Sequence, residues 1–346
     1  MSRAGYVCCG VVVALASAAS WPATPQPAEP ESPLRTPDQT FLTYPEWFLV
    51  FSPDEYATYL EDRPPSAFPY GGHLQQLWSS YAAVSETVSG RYPFNGGYHA
   101  MIVVIAGSTT VEYGVKGAYE RTVGRTAEAF GGDTRTAEDE LAADVAREYV
   151  DFIEVTPWYA FDFDERLRRL WSAPPKLDGM ATVRSLERRY ALSTEYALKA
   201  VYARVIAAGT AASYEAASPS TQVAFGASCN TAGIEGLEVQ GEKGGVVTAT
   251  VPRYRAFSVA ATALAERGCT FESLAGNDGE ILLSVMADAR WAPESVSGTR
   301  TLFVQPLLTE PTLARFAVVT TVPELSGVLR ALAKDDDARV EHVFDY

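Results

Sequence analysis

Apolar residues recur every three or four positions through residues 40–217, and the pattern then changes to short apolar runs divided by turn residues. The first regime predicts helices. Ser52-Pro53-Asp54-Glu55 offers an N-cap, a proline at the first helical position and a glutamate at the third, which predicts a helix over 53–62. Thr43 and Glu46 have the same capping-box spacing ahead of the aromatic-rich run 47–51. Gly71-Gly72 opens a helix over 73–88, and Asn95-Gly96-Gly97 breaks the chain before the apolar stretch 100–111. At about a dozen residues this stretch is shorter than the roughly 20 that span a bilayer, so it reads as a buried core helix, with membrane docking as the other reading. Thr136 caps a helix over 137–154, and the last long helix covers 185–212. Glu187, Arg188 and Arg189 make that helix the more peripheral of the two long ones.

The second regime predicts a sheet domain. Residues 218–243 read as a boundary, rich in Gly and Ser after Pro219. Strands follow at 246–251, 269–274, 280–286, 301–304, 316–321 and 339–344, with amphipathic helices at 254–267 and 323–334. Gly276-Asn277-Asp278-Gly279 predicts a hairpin between the second and third of these strands.

The helical part repeats. Residues 112–121 and 195–204 share Glu, Tyr, Lys, Tyr and Arg at five of ten positions. Upstream, residues 55–79 match 148–172 at ten positions, among them Glu55-Tyr56 with Glu148-Tyr149 and Trp78-Ser79 with Trp171-Ser172. Chance would give roughly one or two, so two copies are expected, over about 53–128 and 146–212. The fold class that follows is mixed: an N-terminal duplicated all-helical domain over 40–217, then a ferredoxin-like α+β sandwich over 218–346.

The ends set the compartment. Arg3, the apolar run 6–15 and Ala16-Ser17-Ala18 read as a signal peptide over 1–20, with an uncleaved N-terminal anchor as the other reading. Six prolines mark 21–39 as an extended linker. Export to the periplasm or cell envelope is therefore expected. In an oxidising compartment Cys229 and Cys269 can pair, though two buried thiols fit equally well. The formal charge of −15 argues against nucleic acid as a partner.

Candidate chemistry centres on the repeat. Positions i, i+4 and i+7 share a helix face, which aligns Glu112, Lys116 and Tyr119 in one stripe and Glu195, Lys199 and Tyr202 in the other. These six are the candidate ligand-binding residues. The plainer readings are surface ion pairs or a buried polar network where the two long helices cross. His73, His99 and His342 have no metal-ligand spacing, and the chain carries no Gly-x-Ser-x-Gly elbow, phosphate loop or dinucleotide fingerprint, so neither metal nor cofactor is expected.

Tyr44-Pro45-Glu46-Trp47, Trp78-Ser79-Ser80-Tyr81, the 112–120 helix and the closing Glu341-His342-Val343-Phe344-Asp345-Tyr346 resemble an uncharacterised family of bacterial exported or membrane-associated proteins. The resemblance implies an envelope location and no mechanism. The leading expectation is a non-enzymatic envelope protein that binds a protein or small molecule. One alternative is an enzyme with its acid–base centre in the Glu/Lys/Tyr set. The other is a peripheral membrane protein docking through 100–111.

Overall fold

The computed structural model describes residues 36–131, 135–172, 181–213 and 220–345. The signal-like segment, most of the proline-rich linker and the Pro174-Pro175 loop lie outside the described residues. The chain is a helical N-terminal part followed by two antiparallel four-stranded sheets.

The helices are α1 (Gln39–Leu42), α2 (Tyr44–Leu60), α3 (Tyr70–Val88), α4 (Gly96–Tyr119), α5 (Arg125–Gly131), α6 (Ala137–Ile153), α7 (Phe163–Ser172) and α8 (Ala181–Ser213). A π-helical turn joins α4 to α5. Short 3-10 turns, Pro65–Ala67 and Trp158–Ala160, precede α3 and α7. Thr136 caps α6 with a full capping box to Asp139. The cap expected at Ser52 is absent. Helix α2 runs straight through Pro53, and the buried Ser52 hydroxyl turns inward to His73 and Tyr113. Local spacing offered a helix start, and tertiary hydrogen bonds took the hydroxyl instead.

Element boundaries recur at one offset. Ala137, Ile153, Trp158 and Phe163 begin or end their elements 93 residues after Tyr44, Leu60, Pro65 and Tyr70 do so.

The first sheet orders its strands β2 (Glu238–Lys243), β3 (Val246–Pro252), β1 (Ser220–Gly226) and β4 (Phe271–Leu274). The second orders them β6 (Arg300–Pro306), β7 (Leu313–Thr321), β5 (Glu280–Asp288) and β8 (Ala338–Val343). Each carries one helix before its last strand, α9 (Arg255–Glu266) and α10 (Val322–Leu332). The expected 269–274/280–286 hairpin does not form, because β4 pairs with β1 and β5 with β7 and β8. The chain closes on itself between Leu274 and Asn277, and the buried Asn277 amide holds the Glu280 carbonyl, which sends β5 into the other sheet. The stretch read as a boundary holds β1 and β2. Strand β1 alternates in burial, whereas β2 is an exposed polar edge with no apolar signal.

Strand β5 is apolar on both faces, and its period of two divides it between two cores. Ile281, Leu283 and Val285 face a core shared by both sheets, α9 and α10. Leu282 faces the helices, packing with Phe41, Leu42, Tyr44, Phe51 and Phe344.

Helix α4 corrects a second expectation. Its apolar stretch buries Ile102 and Ala106 but exposes Val103, Val104 and Val111, so it is not a core helix. The charged face of α8 is the buried one: Arg184, Arg188 and Arg189 are all inside. No helix among the described residues is long and apolar enough to cross a membrane.

Cys229 and Cys269 form a disulfide that closes 40 residues of the first sheet. Melts with and without reductant should differ by about 2–4 kcal/mol, and a Cys229→Ala/Cys269→Ala variant should melt like the reduced wild type in either buffer.

Candidate functional site

Helices α4 and α8 lie antiparallel, since residues rising along one meet residues falling along the other. Ser108 meets Tyr202, Glu112 meets Lys199 and Lys116 meets Glu195. Lys116 Nζ stands 2.9 Å from Glu195 Oε2. Lys199 Nζ stands 2.9 Å from Glu112 Oε1 and 3.0 Å from Glu195 Oε1. Each lysine also lies over a tyrosine ring, Lys116 over Tyr56 and Lys199 over Tyr149. Four of the six candidate residues therefore converge.

The two tyrosines do not join them. Tyr119 donates to Glu187 Oε1 at 2.9 Å. Tyr202 accepts from Ser108 and stacks on Trp158.

The electrostatics lock these charges. Burial alone would lower the lysines, but Glu195 and Tyr56 raise Lys116, and Glu112 and Glu195 raise Lys199. Burial would raise Glu195, but the two lysines hold it far below the usual carboxylate range. A general acid or base needs a pKa near the working pH. Here every resolved shift moves away from neutrality, which is the signature of a brace between two helices.

A second cluster lies where α4 ends. Arg188 contacts Glu120 at 2.8 Å and Asp139 at 3.0 Å, and Arg184 reaches Asp139 and Glu128. Arg189 and Ser185 hold Glu138. Glu120 and Arg188 are both about 2% exposed. Buried charges persist only when paired, and each of these is.

A third array joins the helices to the second sheet. Ser52 Oγ lies 2.9 Å from His73 Nδ1, and His73 Nε2 lies 3.7 Å from Glu55 Oε2. Glu55 Oε1 accepts from Arg315, whose guanidinium also grips both oxygens of Glu341. The Ser–His–Glu order resembles a hydrolase triad in outline. Its burial removes that role: Ser52, His73 and Glu55 are at most 5% exposed. Burial, with the Arg315 charge, pushes the His73 imidazole down to about 3, too weak a base for a serine at neutral pH. Reading the sequence alone passed over this array, because Glu55 looked like a capping residue and Arg315 had no local partner.

A cleft lies elsewhere. It measures 540 Å³ and is lined by Asp38, Trp78, Tyr81, Ser85, Tyr92, Phe94, Asn95 and His99, among others. Among the described residues, no group of three or more His, Cys, Asp or Glu side chains could hold a metal ion.

Glu195→Gln should cost about 2–3 kcal/mol, somewhat below a fully buried pair because the site is partly wet, and Lys116→Met/Glu195→Met should recover part of that loss in urea melts. Acid should also destabilise the protein before the carboxylate range. The unfolded chain protonates His73 below about pH 6.5, whereas the folded protein does so only near pH 3. Stability present above pH 6.5 is therefore lost as pH falls. Glu195 adds a second loss below about pH 4.3, while Glu55, raised by burial against Arg315, works the other way there. Urea melts from about pH 7 to about pH 5 should show a shallower slope for His73→Gln than for wild type. No family model, curated protein or solved structure matches the chain.

Proposed function

We propose that this chain is a non-enzymatic, exported envelope protein that works by association, and that the outward face of α4 and α8 docks a second copy of the chain. The observation that carries this reading is an apolar face whose bordering charges are already satisfied. Val104, Val111 and Val115 on α4 stand beside Tyr190, Leu198 and Val201 on α8, each 49–67% exposed. The four charges between the ridges pair with one another. An interface core is depleted of unpaired charge and enriched in such side chains. Gly107 and Gly114 have nothing within 4 Å of where a Cβ would stand, which leaves room for a close neighbour.

Self-association is favoured over other occupants by the symmetry of the face. The finer reading of the helical part, an internal duplication, is supported by the element boundaries at a 93-residue offset and by the reciprocal Lys116–Glu195 and Lys199–Glu112 pairs. A pseudo-twofold axis would then pass between two antiparallel ridges. Two such faces stacked on each other make an isologous four-helix arrangement. In the sheet part we infer two β-β-β-α-β units, each containing the split β-α-β arrangement of ferredoxin-like folds. The identical strand orders of the two sheets support it. The shifts of Lys116, Lys199 and Glu195 away from neutrality favour a structural brace over the acid–base reading.

Light scattering of the purified chain at micromolar concentration should give a dimer, and Val111→Glu/Leu198→Glu should give a monomer with a nearly unchanged melt. A monomeric wild type overturns the reading. If that monomer instead co-sediments with zwitterionic vesicles, the face belongs to a bilayer.

A further inference from the structure

The 540 Å³ cleft sits between the start of α1, the C-terminal half of α3 and the first turn of α4, away from the ridges of the docking face. Its size is within the range of small-molecule sites. Four aromatic rings line it: Trp78, Tyr81, Tyr92 and Phe94. Phe94 is 82% exposed and stacks on His99 with ring centroids 5.0 Å apart and planes 15° from parallel. A large apolar ring is thus held in water at the rim. His99 is oriented in turn by Tyr81, whose hydroxyl lies 3.0 Å from Nδ1.

Asp38 supplies the charge. Its residue is 4% exposed, yet its carboxylate has one weak side-chain contact among the described residues, from Asn95 Nδ2 at 3.4 Å. No described cation pairs with it. Arg91, next to the cleft in sequence, and Arg300 are both engaged by Glu280, at 3.2 and 2.9 Å. Nor does the Asp38 side chain cap α1. The buried Ser85 hydroxyl, also lining the cleft, has no hydrogen-bond partner among the described residues. Buried carboxylates in folded proteins are normally paired, and one left without a cation beside an aromatic cleft is a receptor for positive charge.

The kind of cation follows from the lining. A metal ion needs several oxygen, nitrogen or sulfur ligands, and the described lining offers one carboxylate and one imidazole, His99, beside neutral hydroxyl and amide groups. Aromatic faces attract ammonium groups through the ring quadrupole, and they cover an apolar body as well. The overall charge of −15 raises the local concentration of any cation. We propose that this cleft binds a small organic ammonium ion, with its charge on Asp38 and its apolar body among Trp78, Tyr81, Tyr92 and Phe94.

Calorimetric titration of the full chain with benzyltrimethylammonium tests this, with benzyl alcohol as the neutral counterpart and potassium chloride as the inorganic one. The ammonium should bind saturably and quench tryptophan fluorescence. Benzyl alcohol should bind at least about tenfold more weakly, and potassium should not compete at equal concentration. Asp38→Asn should weaken the ammonium about tenfold or more, and Phe94→Ala, at an exposed position, should weaken it several-fold. No binding by wild type overturns the proposal. So does equal binding of the neutral compound, or unchanged affinity in both variants. The readout is independent of oligomeric state, so a monomeric chain that binds the ammonium leaves this site standing and removes only the docking face.

Discussion

A guanidinium cannot shed its proton, and Arg315 is 1% exposed, so the fold must bring carboxylates to it. Glu341 comes from β8, beyond the neighbouring strand β5, and takes two hydrogen bonds. Glu55 comes from α2 and takes a third. Phe51, one turn before Glu55, lies over the same cation at 4.2 Å. These demands fix where α2 sits on the second sheet to within a hydrogen-bond length. The fixing propagates outward, because His73 beside Glu55 binds Ser52, and Ser52 binds the Tyr113 hydroxyl on α4. A single buried charge thus ties strands β7 and β8 and helices α2, α3 and α4 into one frame. Gln305 and Gln76 reinforce the joint, the first meeting Tyr44 and the Gln76 carbonyl, the second donating to the Pro306 carbonyl.

Much of the helical part was legible because its signals are local. Thr136 and Asp139 lie three residues apart and make the capping box that this spacing allows. Glu112 and Lys116, or Glu195 and Lys199, share a helix face by geometry alone, and the sequence repeat places the two stripes in equivalent positions. What spacing could not give was their exchange of partners: Lys116 prefers Glu195 on the other helix to Glu112 on its own. Tyr119 and Tyr202 share the stripe yet point to other groups.

The failures have a common cause, which is that a distant partner overrode a local preference. Ser52 abandoned a cap for His73. The arginines of α8 looked like solvent-facing residues and were drawn inside by Glu120, Glu138 and Asp139. Strand β2 has no apolar face, so nothing in its pattern separates it from a loop. Asp38, at the end of a proline-rich run, gave no hint that it would be buried among aromatic rings.

Helix α4 draws these threads together, because its sequence is poorly suited to standing alone. It contains Gly107, Gly114 and Gly117, each costing about 1 kcal/mol against alanine in a helix interior. Only at Gly117 does this chain use the space, since a Cβ there would stand 3.1 Å from the Tyr70 side chain. The helix is held instead by contacts at intervals along it: the Asn95 cap, the Trp78–Thr110 hydrogen bond, Tyr113 on Ser52 and the Lys116–Glu195 pair. All of these lie on its inner side or toward α8. Among the described residues nothing covers its outer side, yet that side keeps valines rather than lysines or glutamates. A helix anchored on one side and apolar on the other is stable enough to present a surface without needing that surface to fold. That separation of duties is what an association face requires.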